Sequence, residues 1–355
     1  MDWKSQLSQR ITQPENLPPG FTLSQKEKAF FAGYKKGETL PFSVTPYYLS
    51  LIDPFDPDDP VRKQCIPTEN EFHIKEYEDA DPLYERDYEP VPSLVHRYGN
   101  RVLLRATGLC AAYCRHCFRR FITGKWMGRI EGEKLSNIVD YISRHPEIDE
   151  VLISGGDPFI LDDDVLLSLV RAIRNIRKRL IIRLCTRTPV VLPQRITPSF
   201  VDSFAALHPV WVVTQFNHPN EITGQSEEAV KRITSKGIPV LNQTVLLKGI
   251  NDSPSILCTL FRGLTAILVK PYYLFQGDLA CGTSHFRVSL KKGIKIYEDI
   301  RKILSGIALP KYTLDLPNGG GKIFLSASCL HDFESGWYRI KNYEGKVCKY
   351  PEEDV

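Results

Sequence analysis

Residues 101–120 read RVLLRATGLCAAYCRHCFRR: an apolar run, then Cys110, Cys114 and Cys117 spaced C-x3-C-x2-C. The apolar run has the texture of a strand buried on both faces. Five more such runs follow, in EVLISGG, LIIRLCT, VWVVTQF, PVLNQTVLL and AILVKPYYL. Between them stand amphipathic stretches with helical period: GEKLSNIVDYISR (132–144), DVLLSLVRAIRNIRK (164–178), EEAVKRITSK (227–236) and PSILCTLFRGL (254–264). Strand then helix, repeated, predicts parallel βαβ units with right-handed crossovers. Six repeats are too few for a closed eight-fold barrel. An open, partial α/β barrel is therefore expected over a doubly wound sheet, with chemistry at the C-terminal strand ends.

Outward from this core the texture changes on both sides. Residues 1–95 are rich in Pro, Asp, Glu and Tyr, as in DPFDPDDP (53–60), and predict a mainly helical and irregular accessory region that wraps the barrel. The barrel is expected over 96–308. Residues 309–355, with YTLDLPNGGGKIFL and WYRIKNYEGKVCKY, predict a β-rich extension that folds back onto it.

With 42% hydrophobic and 25% charged residues, the 355-residue chain holds enough apolar material for one large domain with appendages. The net charge of +4 is too small to demand a nucleic acid or an anionic membrane. A local basic group, Arg115, Arg119, Arg120 and Lys125, surrounds the cysteines, where it could hold a carboxylate or a reduced cluster. The polar start MDWKSQLSQR has no signal-peptide core, and no stretch nears the roughly 20 apolar residues of a membrane span. A cytoplasmic protein is expected. Nine cysteines, mostly scattered, do not form the framework of a small secreted domain. Cys65, Cys185, Cys258, Cys281, Cys329 and Cys348 are isolated, and most of them read as small buried apolar residues.

Three soft thiolates so close together indicate a metal. Structural zinc wants four ligands, and His116 is awkwardly set between two of the cysteines. Three ligands suit a [4Fe-4S] cubane with one iron left open for a small molecule's amino and carboxylate groups. Structural zinc and redox-reactive thiols are the alternatives. In LISGGDPFIL (152–161), Gly155 and Gly156 would let backbone approach a ligand closely, although a plain strand-to-helix turn also explains them. In LDLPNGGGKIFL, Lys322 follows three glycines. A phosphate loop is excluded, since Leu316 stands where a glycine is needed and Ile323 where a hydroxyl is needed. A loop lysine can form a Schiff base with pyridoxal 5′-phosphate, or can be simply solvated.

The C-x3-C-x2-C loop after the first strand resembles the radical S-adenosylmethionine superfamily, and the GGD segment agrees. The resemblance implies a partial (β/α)6 radical-SAM barrel and a methionine-amino contact at Ser154, Gly155, Gly156 and Asp157. More closely, HRYGNRVLL, CRHCFRR, TQFNHPNEIT, YYLFQGDLACGTSHFR and DLPNGGGK resemble the lysine 2,3-aminomutase family from about His96 to Lys322. That likeness implies S-adenosylmethionine at a cluster held by Cys110, Cys114 and Cys117, and pyridoxal phosphate on Lys322. Arg97 and Arg101 match the family's phosphate-binding positions and Gln243 a further cofactor contact. Arg119 matches the arginine that grips a substrate α-carboxylate. Asp278 and Asp315 match two aspartates that hold the distant ammonium of free lysine, a cation whose desolvation needs paired negative charge.

The implied activity is that of an isomerase moving the amino group of L-lysine from carbon 2 to carbon 3, with an electron donor such as flavodoxin or ferredoxin. The better-known members are longer and carry a C-terminal cysteine group for zinc; here the tail has Cys348 and ends at Val355, so no such zinc is expected. A homo-oligomer is left open. Phe118 is shared with a branch that serves elongation factor P by β-lysylation, whereas Asp315 and the DLPNGGGK form are not typical of that branch. Three readings stay open: free lysine mutase, enzyme for a translation factor, and cluster protein without mutase activity. Glutamate as substrate ranks low, because Asp278 and Asp315 would repel its side chain.

Overall fold

The computed structural model describes residues 1–326, 333–342 and 345–353; Cys329 and Val355 lie outside the described residues. Nine strands form one sheet in chain order: β1 (Leu94–Tyr98), β2 (Arg101–Thr107), β3 (Glu150–Gly155), β4 (Ile181–Cys185), β5 (Val210–Thr214), β6 (Val240–Val245), β7 (Val269–Phe275), β8 (Lys311–Leu316) and β9 (Gly321–Phe324). Neighbours from β2 to β8 run parallel. β1 and β9 are antiparallel strands at the two edges. The six expected strands are β2 to β7. β8 adds a seventh parallel strand, so the tail after residue 309 begins as part of the barrel wall.

Helices Gly132–Arg144, Asp163–Ile176, Gly224–Thr234 and Pro254–Ala266 stand where the periodicity puts them. Two more, Pro198–Ala205 and Leu290–Arg301, are capped by Thr197 and Ser289, whose side chains accept the backbone N–H groups of Phe200 and Lys292. Helices and barrel interior divide the side chains of each strand. On β6, Val240, Asn242 and Thr244 are buried, while Gln243 and Val245 line the inner cavity.

The sheet's two edges are joined by side chains instead of a backbone ladder. The Lys322 N–H donates to Tyr98 Oη at 3.0 Å, and Arg97 Nε donates to the Gly319 carbonyl at 2.9 Å. The accessory region clamps one end of the barrel. Thr45 Oγ1 donates to the Val191 carbonyl at 2.6 Å, Tyr48 Oη donates to Glu221 at 2.6 Å, and buried Glu71 pairs with Arg115 at 2.7 Å. A second sheet, β10 (Phe333–Glu334), β11 (Trp337–Lys341) and β12 (Val347–Pro351), returns onto the barrel. Asn342 Nδ2 donates to the Gly320 carbonyl at 2.7 Å, and Arg287 pairs with Glu353 at 2.5 Å. Among the described residues, no helix is long and apolar enough to cross a membrane.

Candidate functional site

The barrel interior holds a cavity of about 420 Å³. It runs from Arg101 and Glu150 at the start of β2 and β3 to Ser154, Cys185 and Val245 at the C-terminal ends of β3, β4 and β6. Its depth exceeds the expected confinement to strand ends, because an open sheet leaves the inner side chains less tightly interleaved than a closed barrel does.

Cys114 and Cys117 form part of one wall. Burial, followed by nearby charges that include the other two sulfurs, pushes the Cys110 thiol well up; burial and Cys114 push Cys117 up. Three half-buried thiols on one short loop are a donor set suited to a cationic metal centre. Among the described residues, no three His, Cys, Asp or Glu side chains are arranged to hold a single metal ion. A cluster, which gives each cysteine its own iron, fits that spacing. Arg187 Nη1 lies 2.7 Å from Cys114 Sγ, and its Nη2 donates to Gln64 and Glu221.

Of the GGD segment, Ser154 lines the cavity and receives Arg119 Nη1 at 3.2 Å. Gly155, Gly156 and Asp157 lie behind it. A Cβ on Gly155 (φ +105°) would stand 2.5 Å from the Thr107 carbonyl, and one on Gly156 would stand 2.2 Å from the Leu109 carbonyl. The close approach that requires glycine here is to the end of β2 and the start of the cysteine loop, which accounts for both glycines without a ligand. The Asp157 carboxylate is committed to Thr186 Oγ1 and the Arg187 N–H, both at 2.7 Å.

At the other end, Lys322 Nζ donates to Asp315 at 2.6 Å and lies 4.0 Å from the centre of the Phe275 ring. Arg97 and Arg101 flank the Tyr98 ring at 5.5 and 3.9 Å, and Gln243 lies on the same cavity wall. Two guanidiniums, an aromatic face and a primary amine make a donor set that fits a phosphorylated aromatic aldehyde. Asp278 also faces this cavity, and its Oδ1 is buried with no hydrogen-bond partner. Burial, and then the neighbouring Asp315, push its carboxyl up to about 7. Lys322 already serves Asp315, and the Asp278 oxygen is left without a partner among the described residues.

Arg119 reaches the cavity, but its Nε and Nη2 are gripped by Glu85 at 2.9 and 2.7 Å. Glu85 was not found in the sequence, since nothing separates it from other acids of its run. Arg183, ion-paired with Glu150 at 2.5 Å inside the cavity, was also missed. An arginine in the apolar run LIIRLCT could have signalled it. Cys185 lines the cavity too, so it is more than core filling.

Residues 104–255 match the radical SAM superfamily model, and residues 297–355 match a model described as lysine-2,3-aminomutase. The chain is 42% identical to the L-lysine 2,3-aminomutase of Clostridium subterminale, covering 99% of this chain and 84% of that one. It is 42% identical to a putative L-lysine 2,3-aminomutase of Aquifex aeolicus, covering 96% of that protein, and 40% identical to the glutamate 2,3-aminomutase of Clostridioides difficile, covering 83%. Likeness of this extent shows that the chain belongs to the lysine 2,3-aminomutase family of radical S-adenosylmethionine enzymes, isomerases that work with a [4Fe-4S] cluster and pyridoxal 5′-phosphate.

Proposed function

We propose that the chain converts L-lysine to β-lysine. One observation carries the choice of substrate: Asp278 and Asp315 share a cavity with a buried carboxylate oxygen that has no partner. A substrate's side-chain ammonium supplies the missing partner, whereas glutamate would add a third carboxylate. This separates lysine from glutamate where overall identity, near two fifths to both kinds of relative, does not.

When bound, the cluster with S-adenosylmethionine supplies a 5′-deoxyadenosyl radical that takes hydrogen from the substrate's β carbon, and pyridoxal phosphate supplies the carbonyl carbon through which the amino group migrates. Cys110, Cys114 and Cys117 would ligate the irons. Ser154, at the cavity face of the GGD turn, would be a methionine-side contact, with Gly155, Gly156 and Asp157 fixing that turn against the cysteine loop. Lys322 would hold the pyridoxal aldehyde, with Arg97 and Arg101 as phosphate donors and Gln243 beside the ring. Glu85 takes the Nε and Nη2 of Arg119, so Nη1, which rests on Ser154 Oγ, is the donor that would turn to a substrate carboxylate.

The test is anaerobic incubation of cluster-loaded protein with S-adenosylmethionine, pyridoxal phosphate, dithionite and L-lysine. β-Lysine is the expected product, absent with Lys322→Ala. Deoxyadenosine without β-lysine would overturn the substrate assignment and turn attention to lysine on elongation factor P.

A further inference from the structure

The cysteine loop is a partition between two cavities. On one side is the reaction cavity, which Cys114 and Cys117 line. On the other is a larger hollow of about 990 Å³ between the accessory region and residues 113–125. Its wall is thin at the cysteines. Thr123, which lines the hollow, has Oγ1 3.5 Å from Cys117 Sγ; Arg10, which also lines it, donates from Nη1 to the Cys110 carbonyl at 2.7 Å. Tyr113, between Cys110 and Cys114 in sequence, is a third lining residue.

Six basic side chains face this hollow, Arg10, Lys35, Lys36, Arg86, Arg120 and Lys125, against two acidic ones, Glu38 and Glu71. That local excess is as large as the net +4 of the whole chain. The charges divide by depth. Arg120 is spent on Glu71 and the Arg115 carbonyl, and Arg10 on the Cys110 and Leu7 carbonyls. Lys35, Lys36, Arg86 and Lys125 are exposed at the mouth. A small anion would find the inner guanidiniums already engaged, while a broad acidic surface would meet the exposed ones.

We propose that this hollow is the docking face for an acidic one-electron carrier protein of the flavodoxin or ferredoxin class. The inference rests on Cys110, Cys114 and Cys117 being the cluster ligands. One electron leaves the reduced carrier, which is oxidised by one electron, and the cluster behind Thr123 and Tyr113 is reduced by one. The electron thus enters from the face opposite the reaction cavity, so the substrate side stays closed to solvent while the cluster is charged.

The test uses Lys35→Glu/Lys36→Glu/Lys125→Glu, three exposed positions outside the reaction cavity. Affinity of an acidic flavodoxin for the cluster-free protein is measured calorimetrically at low and high salt, and turnover of the loaded enzyme is driven either by reduced flavodoxin or by dithionite. Charge reversal should weaken low-salt binding about tenfold or more and slow flavodoxin-driven turnover similarly, as loss of electrostatic steering does. Dithionite-driven turnover should stay within about twofold, given that surface changes away from special features are nearly neutral. Equal flavodoxin affinity in wild type and variant would overturn the docking face. So would tight pyrophosphate binding lost in the variant with flavodoxin binding unchanged, which would make the hollow a small-anion site. Absence of β-lysine under dithionite, with salt-sensitive flavodoxin binding intact, would count against the substrate reading alone.

Discussion

Asp278 carries the most testable electrostatics of the site. Burial and Asp315 raise its carboxyl from the ordinary 3.8 to about 7, so at pH 6 it is mostly protonated. An ammonium beside it favours the ionised form. Lysine binding at pH 6 should therefore release a proton to the buffer, seen as a binding enthalpy that depends on the buffer's ionisation enthalpy. Asp278→Asn should remove that dependence, and an unchanged dependence would detach Asp278 from the ammonium site. The same shift has a stability sign. An acid whose folded pKa is raised contributes stability fully present below about pH 4 and lost as pH rises through 7. The gain in Tm from Asp278→Asn should thus be larger at pH 8 than at pH 5. At this level recognisable motifs made the residues that meet in space legible. Lys322, Asp278, Asp315, Arg97, Arg101, Gln243, Arg119 and Ser154 all face one cavity. Glu85 was hidden because a carboxylate that orients an arginine through space leaves no local pattern.

The turn after β3 shows how one element fixes another. Gly156 has no positive φ, so its requirement is steric alone, set by the Leu109 carbonyl one residue before Cys110. Gly156→Ala must push the cysteine loop away, at a cost of about 1–3 kcal/mol for overpacking. The expected result is a lower Tm and lower iron and sulfide content after reconstitution. Gly224→Ala is the control, since a Cβ there meets nothing within 4 Å. Normal iron content in Gly156→Ala would show that the loop tolerates the displacement. Four amphipathic helices and the strands β2 to β7 were legible because their periods are strong; the Leu290–Arg301 helix is not among them. The Pro198–Ala205 helix was not, being only eight residues long with Pro at its first position. Nor was the β8–β9 pairing, where the glycine run 319–321 that turns the chain also interrupts the strand pattern.

The accessory region belongs to the site's construction, and Glu71 is the joint. Its carboxylate receives Arg115 Nε and Nη2 at 2.8 and 2.7 Å and Arg120 Nη2 at 2.5 Å, tying residues 69–72 to the segment that carries Cys114 and Cys117. Composition predicts only that residues 1–95 wrap the barrel; it could not show that they anchor the cysteine loop, because both partners of such a tie look like ordinary surface charges in sequence. Burial raises the Glu71 carboxyl, but Arg115 and Arg120 outweigh it and hold it below its usual value. Neutralising it leaves two guanidiniums uncompensated, one of them fully buried, and removing one partner of a buried pair costs roughly 3–5 kcal/mol. Glu71→Gln should therefore lower Tm sharply at pH 7 and reduce cluster retention. A depressed carboxyl contributes stability above its unfolded pKa that is lost as pH falls through the folded one, so the Tm gap between wild type and Glu71→Gln should narrow below about pH 4.5. A gap that stayed constant down to pH 3 would mean that Glu71 acts through packing, and that the cysteine loop is held by its backbone contacts alone.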